Sequence, residues 1–548
     1  MRTRRSTAIS HRLRPVAILS LTLVGLLARA QPWETYQGNA QHSGYVPIRV
    51  DVTQASQKWQ TQLPVSTPLA QPAAGGGSVF VSDLYGESTQ GQFSLFGVDA
   101  ATGNLKWHQI WTNGWSLTAP SFKNGFVYVQ TIDGLENGLI QCFGADGSFT
   151  WSKPFQTQWA NFLAPTIDGG VVYIPGGEYN GMYAFDAATG YQYWLCQNLM
   201  QYDGWTPSLD SNEAYTYFGP EFGGQSGSGL YAVNRLTGMV DFFIPDTTYV
   251  YPAYQEQQAV ALSGGSAFVT DGGRLVCFDL THRAIVWQNP RACSGQPSVV
   301  GNTVYVADAG TLSAFDATTG AFLWAWAPPG IENLSGPIVV TDNVAFVTTS
   351  SATYGIDLGT HHQVWTANIP GTLAIADGVL YIAGTTGAIT AFNLSSLEVV
   401  SPTAYSVFRG LALSGSLSSI LSVDNQVLRV RQGPTLNPQE APVQVVLTGT
   451  ALSASPGTLK LHLQAFANTP GLTESIELWN YATSQWVKLG SAAAAQSETT
   501  LEASAPTPSQ FVQTGTLQIQ ARLSWKQTGP TLSFPWNVSI DQAVWLEG

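Results

Sequence analysis

Charged residues are scarce in this chain: they make up 10% of 548 residues, and 22 Lys and Arg stand against 35 Asp and Glu. A formal charge of −13 with few cations lacks the clustered basic surface that phosphate backbones require, so nucleic acid is excluded as a partner. Cysteine is scarcer still. The four residues Cys142, Cys196, Cys277 and Cys293 include no adjacent pair and no Cys-x-x-Cys, which removes the usual dithiol and zinc-ribbon chemistry. A chain of this length buries enough apolar surface to need no covalent staples, and the four are expected to act as small buried hydrophobes. Neither His-Glu-x-x-His, Gly-x-Ser-x-Gly nor a phosphate-binding loop occurs. Long apolar runs are missing too. The run Val16–Ala28 is too short to span a bilayer; with Arg2, Arg4, Arg5, Arg12 and Arg14 before it and Ala28-Arg29-Ala30 after it, it reads as a secretory signal peptide cut after Ala30. No Cys follows that point, so a lipid anchor is not expected, and the mature chain, at about −19, is expected to be secreted to the periplasm or beyond.

What the chain has in abundance is glycine, with 55 residues, and aromatic side chains, at 11%. They are ordered by a repeat. Its clearest copy is Leu312-Ser-Ala-Phe-Asp316-Ala-Thr-Thr-Gly320-Ala-Phe-Leu-Trp324, in which Asp and Thr-Gly build a tight turn and Trp leaves it on the next strand. Copies register on Trp59, Trp107, Trp151, Trp194, Phe242, Trp287, Trp324 and Trp365, at spacings of 37 to 48 residues. Ahead of each turn stands a β-branched or aromatic triplet such as Val79-Phe80-Val81 or Val304-Tyr305-Val306. Four short strands per period, without helical periodicity between them, predict an all-β protein built as an eight-bladed β-propeller over 31–402, each Trp docking flat on the neighbouring blade. The last set lacks its own Trp strand, so the strand around Trp59 is expected to complete it and remove the open edge.

The repeat x-Ala-Phe-Asp-x-x-Thr-Gly-x-x-x-Trp resembles the tryptophan-docking motif of the PQQ-like β-propeller family, the quinoprotein alcohol dehydrogenase-like superfamily. The stretch Trp33…Gly38-Asn39…His42-Ser43-Gly44 resembles the segment that precedes the first blade in secreted members. The resemblance implies the fold and leaves two activities open. Enzymes of the family carry PQQ with Ca²⁺ and an adjacent Cys pair that this chain lacks, so no cofactor is expected; others scaffold protein partners without one.

Loops supply the candidate site. In such blades the second-to-third-strand loops and the connections between blades share one face, opposite the Thr-Gly turns. These loops are long in the first four sets (83–92, 131–138, 175–180 and 219–229) and minimal at Asp271-Gly-Gly and Asp308-Ala-Gly. Acidic and aromatic residues mix there, and Trp111, Trp115, Trp159, Trp205, Glu178, Tyr179 and Glu221 form the expected binding face for a protein, carbohydrate or cell-envelope polymer. The docking residues Trp59, Trp107, Trp151, Trp194, Trp287, Trp324 and Trp365 are structural. Histidines 42, 108, 361 and 362 are expected in surface or turn roles, not as metal ligands. The repeat stops after Asn393. Residues 403–440 are Ser-, Gly- and Pro-rich and read as a linker; 441–548 alternate apolar and polar, predicting a C-terminal β-sandwich whose Trp479, Trp486, Trp525 and Trp536 are candidates for binding carbohydrate or for a structural cap. A monomer is expected.

Overall fold

The computed structural model describes residues 31–548 except 84–90, 113, 134–136, 158–162, 177–180, 198, 200–204, 219–226, 249–258, 438 and 533. The chain is all-β; among the described residues the helical elements are two single 3-10 turns, Leu417–Ile420 and Pro508–Phe511. None of the described helices is long and apolar enough to cross a membrane.

Each repeat forms a small antiparallel sheet whose strands pair in chain order. The first is Ala73–Gly75, Ser78–Ser82, Phe93–Asp99 and Leu105–Trp111. Its two middle strands are buried almost throughout, while Leu105–Trp111 at the outer edge is half-exposed. That gradient explains the apolar triplets: a middle strand packs a sheet on both faces, so it needs apolar residues at consecutive positions instead of alternate ones. The innermost strand of each sheet touches the next, from Ala73–Gly75 through Ser121–Lys123, Thr166–Asp168 and Ser208–Leu209 to Ala261–Ser263. Through Val339–Val340 and Gly371–Ala376 the path returns to Ala73–Gly75. Two sheets are fused, because the 17-residue strand Ala284–Val300 is the outer strand of one and, past a break in register between Ser294 and Ser298, the inner strand of the next.

The last sheet takes its outer strand from the start of the chain. Val50–Gln62 pairs with Ala388–Ser396, and Trp59 stands opposite Ala391, as the missing Trp after Asn393 required. Pairing the two ends of the repeat leaves no unprotected inner edge at the seam.

The C-terminal residues build two further sheets. One joins Leu411–Ser414, Leu428–Arg431, Asn537–Glu547, Leu459–Ala467 and Thr499–Ser504, with Glu398–Val400 also paired to Asn537–Glu547; the other joins Ala404–Arg409, Val443–Thr450, Gln518–Gln527, Leu472–Asn480 and Gln485–Ala493. Their alternating inward residues meet in one core that contains Trp525, Trp536 and Trp545, all fully buried. Burial removes Trp525 and Trp536 from any carbohydrate-binding surface. The expected linker over 403–440 differs from what is seen, since Ala404–Arg409, Leu411–Ser414 and Leu428–Arg431 are sheet strands. Ala404–Arg409 and Leu411–Ser414 are edge strands, whereas Leu428–Arg431 is paired on both sides. The buried pair Lys460 Nζ to Asp51 Oδ2, 3.0 Å, ties the C-terminal sheets to the strand that closes the repeat.

Candidate functional site

The turns come first, because they set the two faces. At Asp316 the carboxylate accepts from the backbone N–H groups of Thr318 (3.0 Å) and Thr319 (2.8 Å) and from Thr319 Oγ1 (2.8 Å), as Asp186 does with Ala188 and Thr189. These bonds hold the Asp316 carboxyl below its usual range even though burial pushes the other way. Above each turn sits the Trp of the preceding unit. Its indole N–H donates to the backbone carbonyl one residue after the turn Asp or Asn: Trp59 to Ala100 (3.0 Å), Trp151 to Ala187 (3.0 Å), Trp194 to Arg235 (2.9 Å) and Trp287 to Ala317 (3.0 Å). Trp107 donates likewise to Ala145 in the shorter turn (2.9 Å). Where the left-handed position of the turn is not glycine, the residue there stacks on the aromatic instead. His361 lies 4.4 Å from Trp324, and the Arg283 guanidinium lies 4.3 Å from the Phe242 ring. Trp365 meets Phe392 edge-on at 5.1 Å, as its neighbour has no such turn.

On the turn side the channel is occupied by the chain itself. Residues 31–48 run along the free edges of the innermost strands and bond to them in succession. Trp33 exchanges both backbone bonds with Ala74, Phe122 N–H donates to Glu34 O, Leu209 to Ala40, Leu262 to Gln41, Val299 to Ser43 and Val340 to Gly44. Both ends meet strand-one-to-two hairpins, Gln31 at Asp377 and Ile48 at Asp342, so the segment enters and leaves at the turn face. Gln37 and His42 are fully buried inside. Gln37 Nε2 reaches Ser298 Oγ and Ile338 O; His42 contacts Tyr36 O through Nδ1 (2.6 Å) and Thr166 Oγ1 and Pro207 O through Nε2 (3.0 Å each). Burial drives the His42 pKa down to about 4, although the two carbonyls favour its charged form. The surface role expected of His42 is therefore corrected: it is a neutral core histidine that pins the segment. A lone histidine in a non-repeating stretch carries no pattern that reveals burial.

The opposite mouth is acidic. Second strands end there on Asp133, Asp271 and Asp308, and Asp83 directly follows the end of another; Asp83, Asp271 and Asp308 are buried. Asp83 accepts from Ser94 N–H at 3.0 Å, and Arg291 pairs with Asp308 at 2.6 Å. Between two neighbouring units Arg274 binds both Asp246 (3.1 Å) and Asp271, and Tyr217 O–H bridges the same two carboxylates. Thr248 and Gln288 complete the arginine's partners. Burial works against the Asp246 charge, but Thr248 and Arg274 more than offset it and hold its pKa low, while burial beside the two aspartates pushes the Tyr217 hydroxyl far up. The network clamps two units together. Sequence reading passed over Arg274, whose signal was rarity, one of only 22 cations set beside Asp271-Gly-Gly.

Of the expected binding face, Trp111 is half-buried, donating from Nε1 to Gln141 Oε1 at 3.1 Å and meeting Phe143 edge-on. Trp205 is 5% exposed and packs with Leu209, Phe218 and Tyr231. The cavity beside it, lined also by Thr216, Tyr217 and Val269, measures about 10 Å³, room for one water. Trp115 lies on the strand Gly114–Leu117, and its side chain, with Trp159, Glu178, Tyr179 and Glu221, falls outside the described residues. All four cysteines are buried, and burial pushes the thiols of Cys277 and Cys293 up to about 12.

Comparison with known proteins agrees with this geometry. A search of curated protein sequences gave no match. Similar solved structures include BamB from Moraxella catarrhalis, with 13% identity, 62% of this chain and 99% of that chain covered, and a TM-score of 0.49. A quinohemoprotein alcohol dehydrogenase from Comamonas testosteroni shares 14% identity over 70% of this chain and 83% of its own, with a TM-score of 0.51, a likeness of fold alone. Another from Pseudomonas putida HK5 shares 13% over 71% and 84%, at 0.49. The family described as outer membrane protein assembly factor BamB matches over residues 42–194, 91–242 and 252–432, most of the chain and nearly all of the repeat. With its Asp-Thr-Gly turns and docked tryptophans, the chain thus belongs to the PQQ-like β-propeller repeat family that carries this description.

Proposed function

We propose that the chain is an eight-bladed propeller that ends at Ser396, followed by a C-terminal β-sandwich whose first paired strand is Glu398–Val400, and that it is an exported, non-enzymatic scaffold. It recognises a protein partner through the loop face of its first four blades. The observation that carries this reading is the segment 31–48, which fills the channel from the turn side and leaves the loop face as the approach. Trp111 and Asp133 stand at the ends of their strands on that face. The family description, a factor in outer-membrane protein assembly, favours a protein as partner.

The rival reading is a PQQ-dependent dehydrogenase. The described residues fit the quinone and its Ca²⁺ poorly. The cysteines lie apart in separate strands, and the paired carboxylates at the mouth, Asp246 and Asp271, are already taken by Arg274 and Tyr217, so a divalent ion there would have to displace an arginine. Incubation of the purified protein with PQQ and Ca²⁺ separates the two readings. The scaffold reading expects no retained quinone absorbance and no dye-linked alcohol oxidation above buffer; quinone-dependent turnover overturns it.

A further inference from the structure

The outer face of the five-stranded C-terminal sheet holds a groove of about 580 Å³, within the range of ligand sites. Four cations line it, Arg409, Lys488, Arg522 and Lys526, against the carboxylates Glu440 and Glu477. Arg409 pairs with Glu440, and Arg522 with Glu477 at 2.5 Å, so the two ion pairs cancel. Two ammonium groups remain. Lys488 is exposed, and Lys526 Nζ approaches only oxygen atoms of Gln439, at 3.3 and 3.4 Å, among the described residues. In a chain of formal charge −13 this is a local reversal of sign.

A second observation points into the same groove. Ser524, 6% exposed, has a hydroxyl without a hydrogen-bond partner, and so has the amide oxygen of Gln444 beside it. Leaving such buried groups unmatched costs on the order of 1–3 kcal/mol each, which a ligand's hydroxyl groups would recover.

The ligand class follows from what the floor can offer. The strands Val443–Thr450, Gln518–Gln527 and Leu472–Asn480 are each paired on both sides, so their backbone has no free ladder for an added peptide strand. Recognition must come from side chains. Hydroxyls of Thr473, Ser475 and Thr528 alternate with the cations, and Trp479 and Trp486 share the face, packed edge-on at 5.3 Å with the Arg522 guanidinium 4.8 Å from the Trp486 ring. Donors, acceptors and an aromatic plane together match sugar rings.

We propose that this groove binds an acidic polysaccharide of uronic-acid type, with Lys488 and Lys526 on its carboxylates and Ser524 and Gln444 on its ring hydroxyls. The site is independent of the loop face. Calorimetric titration of the full chain with oligogalacturonate, a neutral cello-oligosaccharide and poly-glutamate tests it. Oligogalacturonate is expected to bind more tightly than both others, and the double variant Lys488→Ala/Lys526→Ala to weaken it about tenfold, a loss of roughly 1.4 kcal/mol. Ser524→Ala should weaken it too without lowering the melting temperature of the free protein, which a packing role would not allow. Absence of binding, equal binding of poly-glutamate, or indifference to the lysine substitutions overturns the proposal.

Discussion

Trp287 lies on Gly320 of the following unit so closely that a Cβ added to the glycine would stand 2.6 Å from the indole Cδ2. The turn glycine therefore has two duties. Its φ of +70° suits the turn, and its bare Cα is the floor on which the neighbour's tryptophan rests. Gly103, Gly147, Gly190 and Gly238 stand the same way beneath Trp59, Trp107, Trp151 and Trp194.

The two duties separate by substitution. Gly264 has a φ of +56° but nothing within 4 Å of an added Cβ. Gly264→Ala should cost roughly 1–2 kcal/mol from backbone strain alone. Gly320→Ala should cost about 1–3 kcal/mol more, because the indole must shift. Urea midpoints measure both, and equal losses would show that the tryptophan does not depend on the bare glycine.

His42 should make the fold acid-sensitive. Its pKa falls from 6.5 in the unfolded chain to about 4 when folded, so the stability it lends is complete above pH 6.5 and drains away as pH falls toward 4. The full loss is on the order of 3 kcal/mol. His42→Gln should flatten the stability profile between pH 6.5 and 4; an unchanged slope would sink the assignment.

Glu474 should act in the opposite sense. It is buried in the C-terminal core with Trp525 Nε1 donating to it at 3.2 Å, and burial raises its pKa from 4.5 to about 7 despite that bond. The folded state holds its proton longer, so stability present below pH 4.5 is lost as pH rises through 7. Glu474→Gln keeps the shape without the charge and should raise the melting temperature at pH 8 more than at pH 4. A variant that loses stability equally at both values contradicts the buried-acid account.

Trp205 and Trp111 were read alike from sequence, yet their surroundings differ. Trp205→Ala should lose about 3–5 kcal/mol, as for a buried aromatic, whereas Trp111→Ala at the half-buried strand end should lose clearly less. Melting curves that rank them the other way would restore Trp205 as a surface anchor.

How much was legible follows from the same residues. The turn Asp, the Thr-Gly pair and the Trp four residues on recur often enough that register, strand order and the closing role of Trp59 could be read without coordinates. The run Gln426–Arg431 was legible as a strand, whereas Ala404–Arg409 and Leu411–Ser414 escaped notice because they are short edge strands of mixed composition. The segment 31–48 escaped because it makes its bonds with innermost strands distant in sequence, through backbone groups that every residue carries. Trp205 could not be told from Trp111, since an aromatic in a connecting loop has no periodic neighbours to show which way it faces.

The central claim is that the loop face of the first four blades is where a partner binds. A photo-crosslinking residue placed singly at Trp111 and Asp133 on that face, and at Thr318 and Ala188 on the turn face, tests it most directly in extract of the cell envelope. The account predicts one discrete protein adduct shared by both loop-face positions and none at either turn-face position. Adducts at the turn positions, or none at the loop positions, would contradict it.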